Sequence, residues 1–99
     1  MSVEMDDGTV VQADKDVFAC ELGGGQALLD LRSSTYYSIN SVGSHVWTLL
    51  QKPIAVGDIQ ASVLETFEVD PARCRTDVLA LIGQFADAGL IQVQNEKPA

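Results

Sequence analysis

Residues 35–50 read Thr-Tyr-Tyr-Ser-Ile-Asn-Ser-Val-Gly-Ser-His-Val-Trp-Thr-Leu-Leu, and the periodicity of the chain changes in the middle of them. Up to Ile39 the residues are β-formers, with Tyr37 and Ile39 alternating against Tyr36 and Ser38, the two-residue period of a strand. From Asn40 onward the apolar positions Val42, Val46, Leu49 and Leu50 recur at helical spacing, with Trp47 beside them. Asn40 or Ser41 offers a side-chain oxygen to cap that helix, and Pro53 stops it from continuing. A strand therefore hands over to a helix at Asn40, which divides the chain into a β part and an α part.

Upstream, Phe18, Cys20 and Leu22 alternate with Val17, Ala19 and Glu21, so one face of this strand is fully apolar and the other mixed. Gly23-Gly24-Gly25 breaks the run and supplies a hairpin loop. The returning strand, residues 26–31, has Ala27, Leu29 and Leu31 on one side and Leu28 and Asp30 on the other. Arg32-Ser33-Ser34 makes the next turn, into the strand at 35–39. Residues 10–12 extend the first strand or form their own, and residues 1–9 read as a loose segment.

Downstream, a second helix over about residues 56–67 presents Val56, Ile59, Val63, Leu64 and Phe67. The third has the clearest start in the chain, Asp70 as cap and Pro71 at the first helical position. Its stripe is Val78, Leu81, Ile82 and Phe85, and Gly89 suits the terminating position. Residues 90–93 offer a short closing strand and residues 94–99 a tail. The expected fold is α+β and winged helix-turn-helix-like, a three-stranded antiparallel sheet followed by three helices, in one domain over residues 10–93.

The 99 residues carry a net charge of −8 from 14 acidic and 6 basic side chains, with no basic cluster. Binding to a phosphate backbone depends mainly on Lys and Arg, so nucleic acid is not an expected partner. An acidic surface suits neutral or basic partners, and solubility alone also explains it. No window approaches the roughly 18 apolar residues of a membrane helix, and the acidic residues 1–7 are unlike a signal peptide. A cytoplasmic location is expected. Cys20 and Cys74 are far apart, without a further Cys or a His at metal spacing, and read as buried free thiols.

Catalytic constellations are missing from the pattern. His45 is the one histidine and lies on a different element from either cysteine, with nothing to mark a third, orienting group. Asp58, Glu65, Asp77 and Asp87 fall on separate helical turns, as solvated faces do. The glycine triplet leads into a strand, whereas a phosphate-cradling loop leads into a helix N-terminus. The expectation is a protein without catalytic residues, metal or cofactor.

Two features suggest a binding surface. On the third helix Arg75, Leu79 and Ala86 share a flank roughly 60 to 100° from Val78, an apolar groove wall with an Arg stem. Leu79 reads equally well as a widening of the core stripe. The strand at 35–40, if it lies at a sheet edge, offers free N–H and C=O groups to an extended peptide, and Ser34, Thr35 and Ser38 bring no charge to repel one. Tyr36 and Tyr37 add apolar area with polar tips.

In their order along the chain, Leu29-Asp30-Leu31, the run from Thr35 to Asn40, Val46-Trp47-Leu49-Leu50, Phe67-Glu68-Val69-Asp70, Asp77-Val78 and Phe85-Ala86-Asp87-Ala88-Gly89-Leu90-Ile91 resemble the PqqD family. Members of that family are similar to winged helix-turn-helix domains and serve as recognition elements for ribosomally made, post-translationally modified peptides (RiPPs). The resemblance implies a non-catalytic adaptor whose partners are a precursor's leader peptide and a modifying enzyme or leader peptidase. It implies a peptide-binding set of Ser34, Thr35, Tyr36, Tyr37, Ser38 and Ile39 on the third strand with Arg75, Leu79, Ile82 and Ala86 on the third helix. Asp30-Leu31-Arg32-Ser33-Ser34 replaces the Pro-Glu-Arg-type segment associated with pyrroloquinoline quinone synthesis, and brings the chain closer to the standalone proteins of lasso-peptide clusters. The alternatives are a pyrroloquinoline quinone-type precursor chaperone and a winged-helix transcription regulator. A monomer or weak homodimer is expected.

Overall fold

The computed structural model describes residues 7–23 and 25–94. Its elements run β1 (Val10–Ala13), β2 (Val17–Leu22), β3 (Gly25–Asp30), β4 (Thr35–Ile39), α1 (Ser41–Leu49), β5 (Ile54–Ala55), α2 (Val56–Thr66), α3 (Pro71–Asp87) and β6 (Ile91–Gln94). The expected meander is present as the antiparallel sheet β2-β3-β4. A second antiparallel sheet, β5-β1-β6, corrects the expectation of a single one. Residues 10–12 do not extend β2; with Ala13 they form their own strand, β1. Val10 pairs with both Ala55 and Gln94, so β1 joins three distant parts of the chain. Two-residue β5 carries no period of its own, and only this long-range pairing defines it.

The helix signals hold. Asn40 caps α1, its side chain accepting from the Gly43 N–H at 2.8 Å, and Asp70 caps α3 by accepting from the Arg73 N–H. Gly89 follows α3 with φ +76°, a conformation that costs any residue with a Cβ. At the start of α2, Ala55 has no capping side chain. The free N–H groups of Val56 and Gly57 instead donate to the Thr9 and Asp7 carbonyls, both at 2.9 Å. A Cβ on Gly57 would lie 3.1 Å from that of Asp7, a tight contact that a larger residue would relieve only by shifting this segment. Residues 7–9, the end of the segment expected to be loose, are thus held against α2; residues 1–6, and 95–99 of the expected tail, lie outside the described residues.

The core gathers Val11, Leu28, Val46, Leu50, Val56, Ile59, Val78, Ile82 and Leu90 from both sheets and all three helices, each almost fully buried. Burial at about 25 cal/mol per Å² of apolar surface is what holds layers with so few polar links together. In the sheet β2-β3-β4, Val17, Leu28, Tyr37 and Ile39 face this core. The alternative face, read as the fully apolar one, turns outward. Phe18, Leu29 and Tyr36 form one cross-strand row there, and Phe18 and Tyr36 are 52% and 53% exposed. Cys20 lies on that outer face and is half-buried, a correction to its reading as a buried thiol, whereas Cys74 is buried and its thiol is pushed up by burial and then by Asp77.

Candidate functional site

Among the described residues β4 is an edge strand: β3 lies on one side, in the register Leu28 to Tyr37 and Asp30 to Thr35, and no described strand lies on the other. On an antiparallel edge, half of the backbone N–H and C=O groups point away from the sheet. Ser34 enters the strand from a positive φ of 55°, and Ser34, Thr35, Tyr36 and Ser38 are exposed. Tyr37 and Ile39 are half-buried against the core. The alternation leaves a polar, uncharged outer rim and an apolar inner one.

Between β4 and α3 runs a groove. Two adjoining hollows of about 210 and 290 Å³ share Asn40, Leu81 and Gln84. The first is walled by Tyr37, Ser38 and Ile39 from β4 and floored by Phe85 and Leu90, with Ala88 at its end. The second continues past Asn40 to Val42, Ala80 and Asp77. Thus Asp77, Leu81, Gln84 and Ala88, a stripe at helical spacing, make the α3 wall. Asp77 is the charged residue of this lining, and its contact with Arg73 at 3.6 Å is solvent-exposed and correspondingly weak.

The residues named on α3 from sequence are placed elsewhere. Arg75 donates to both carboxylate oxygens of Asp7 at 3.2 Å, on the side of α3 that meets the segment preceding β1. Leu79 and Ala86 are half-buried against the core, and Ile82 is wholly buried within it. The β4 residues and the Arg75-Leu79-Ala86 flank do not come together; β4 meets the opposite flank. Periodicity places the two flanks symmetrically about Val78, so no pattern in α3 alone distinguishes them.

Elsewhere, His45 Nε2 lies 2.9 Å from Ser62 Oγ, and its ring meets the edge of Phe67, which ties α1 to α2. Asp58, Glu65, Asp77 and Asp87 are all exposed. Among the described residues no group of three or more His, Cys, Asp or Glu is arranged to hold a metal ion, and no helix is long and apolar enough to cross a membrane.

A family model described as coenzyme PQQ synthesis protein D (PqqD) matches residues 25–91, from β3 to the first residue of β6. The chain belongs to the PqqD family. The match includes both walls of the groove. Among solved structures, this PqqD-family chain is similar to TbiB1 in complex with the TbiA(β) leader peptide, at 21% identity and a TM-score of 0.69 over 88% of this chain and 99% of that one. A lasso peptide synthetase B1 complexed with the leader peptide gives 20% identity and a TM-score of 0.70, covering 83% and 96%. The PqqD truncation of Methylobacterium extorquens PqqCD, a stand-alone RiPP recognition element solved in solution, gives 16% and 0.73, covering 90% and 95%. At these identities the likeness is one of fold. No curated protein matches the sequence.

Proposed function

We propose that this chain is a non-catalytic adaptor that binds the leader of a ribosomally made precursor peptide by strand addition to β4 and presents it to a modifying or leader-cleaving enzyme. The carrying observation is the pairing of a free, uncharged strand edge with an apolar groove against α3. Backbone pairing would supply register and much of the affinity, and side chains alternating inward would enter the hollow between Tyr37, Leu81 and Phe85. Two of the similar folds were solved with a leader peptide bound, and one of these is a lasso peptide synthetase B1, which supports lasso-peptide biosynthesis as the setting. Ordering a flexible leader costs free energy, so micromolar to submicromolar affinity, roughly 8 to 9 kcal/mol, is the expected range. The reading places the protein in the cytoplasm. Without a leader, β4 is open to weak pairing with a second copy.

A winged-helix regulator would share the order of sheet and helices, but the charge opposes it. Arg73 and Arg75 are the basic residues of α3, Arg75 is engaged with Asp7, and the whole chain stands at −8. That is too little positive charge for a helix reading phosphates and bases. A precursor chaperone of the pyrroloquinoline quinone type would use the same groove with another leader.

The test is a titration with the synthetic leader of the precursor encoded beside it, using a series of leaders N-methylated at single positions. Saturable binding that is lost at every second N-methyl position is the expected result, because alternate leader N–H groups face β4. Binding that is absent, or indifferent to N-methylation, would remove strand addition.

A further inference from the structure

We infer that Arg32 is a positioning residue that sets the width of the groove, by clasping the β3–β4 hairpin to the end of α3. The inference rests on the reading of that groove as the leader's site. The two walls belong to different layers, and among the described residues no backbone hydrogen bond joins β2, β3 or β4 to α3. Besides the apolar core they share, what joins them is a closed ring of polar contacts at the groove's Ala88 end. Arg32 Nη2 donates to the Gly89 carbonyl at 2.6 Å, and Arg32 Nη1 reaches Asp14 Oδ2 at 3.4 Å. The Asp14 N–H in turn donates to the Leu90 carbonyl at 2.9 Å. The chain leaving α3 is therefore held at successive carbonyls, one from the hairpin and one from the β1–β2 turn, and the two holders are bonded to each other.

The guanidinium is aimed before it arrives. Asp30 takes Nε at 3.0 Å and Nη2 at 3.2 Å in a two-point contact, and also accepts from the Arg32 backbone N–H at 3.0 Å. Only the planar fork of an arginine satisfies Asp30, Asp14 and Gly89 together. Ala88 and Leu90, the neighbours of the gripped glycine, line the hollow, so movement of this clasp is movement of the groove wall. A wall fixed in advance spares the leader the cost of ordering it, which is gain in affinity without a new contact.

The test compares wild type with Arg32→Gln and Arg32→Lys in leader affinity, thermal midpoint and millisecond exchange of backbone amides in the free protein. For Arg32→Gln the expected results are about tenfold weaker leader binding, from lost preorganisation, and new exchange confined to residues 35–40 and 86–91. Arg32→Lys should fall between. Affinity within twofold of wild type, or exchange spread equally over β1, β5, β6 and α2, would overturn the inference. Should Arg32→Gln fail to fold, Asp14→Asn carries the test, with groove-confined exchange supporting the clasp and unchanged spectra overturning it. A wild type that binds no leader would sink the adaptor reading instead, while exchange in the free protein still decides the clasp.

Discussion

Leu79 and Leu81 stand two residues apart on α3, both half-buried, and point to nearly opposite flanks; only Leu81 lines the groove beside β4. Each truncation to Ala should cost about 2 kcal/mol of stability or less, given partial burial. Leu81→Ala should also weaken leader binding about tenfold, roughly 1.4 kcal/mol, whereas Leu79→Ala should leave the dissociation constant unchanged in a fluorescence anisotropy titration. Equal losses would mean that leader contacts spread beyond the groove. Asp30 gives a second prediction at this scale. Its carboxyl is held below the ordinary carboxylate value chiefly by the hydrogen bond from Arg32. The unfolded chain, lacking that bond, takes up its proton first as pH falls. The contribution is therefore complete above about pH 4 and is lost as pH drops through the lowered value. Stability of wild type should fall more steeply than that of Asp30→Asn between about pH 4 and the lowered value; parallel curves would show that the Arg32 contact carries no linkage.

Among the elements, those with a local signal were legible before the fold. Asp70-Pro71 marks the start of α3 and Gly89 its end, and both stand where read. Asp70→Ala should cost about 1 kcal/mol, the usual value of an N-cap, in a denaturant titration; no loss would mean that Pro71 alone defines the start. β4 was legible as a strand, and its edge position as a condition on the topology. Of the second sheet, residues 10–12 and 90–93 were readable as short strands, but β5 and the pairing were not. β1 and β6 have four residues each and β5 two, too short for a period, and they exist through partners some 40 to 80 positions away. α2 likewise takes its cap from the carbonyls of Asp7 and Thr9, which no capping rule applied to residues 55–58 would find.

For the whole molecule, sequence showed which residues are apolar, but not which way an apolar face turns. Phe18, Leu29 and Tyr36 make the more hydrophobic side of their sheet, yet the helices pack on Val17, Leu28 and Tyr37. The same ambiguity put the α3 wall on the Arg75-Leu79-Ala86 flank, although the chain path from β4 through α1 and α2 brings Leu81, Gln84 and Ala88 to β4 instead. Both are decisions of global packing between locally equivalent faces, and the family match from β3 to β6 fixes the fold without deciding either. The central claim is that a leader enters between β4 and that second flank. The most direct measurement is a backbone amide titration of the protein with the synthetic leader. Saturating shifts concentrated on Thr35, Tyr36, Tyr37, Ser38 and Ile39 and on Leu81, Gln84 and Ala88 are predicted; no saturable binding, or shifts confined to Arg75, Leu79 and Ala86, would contradict it.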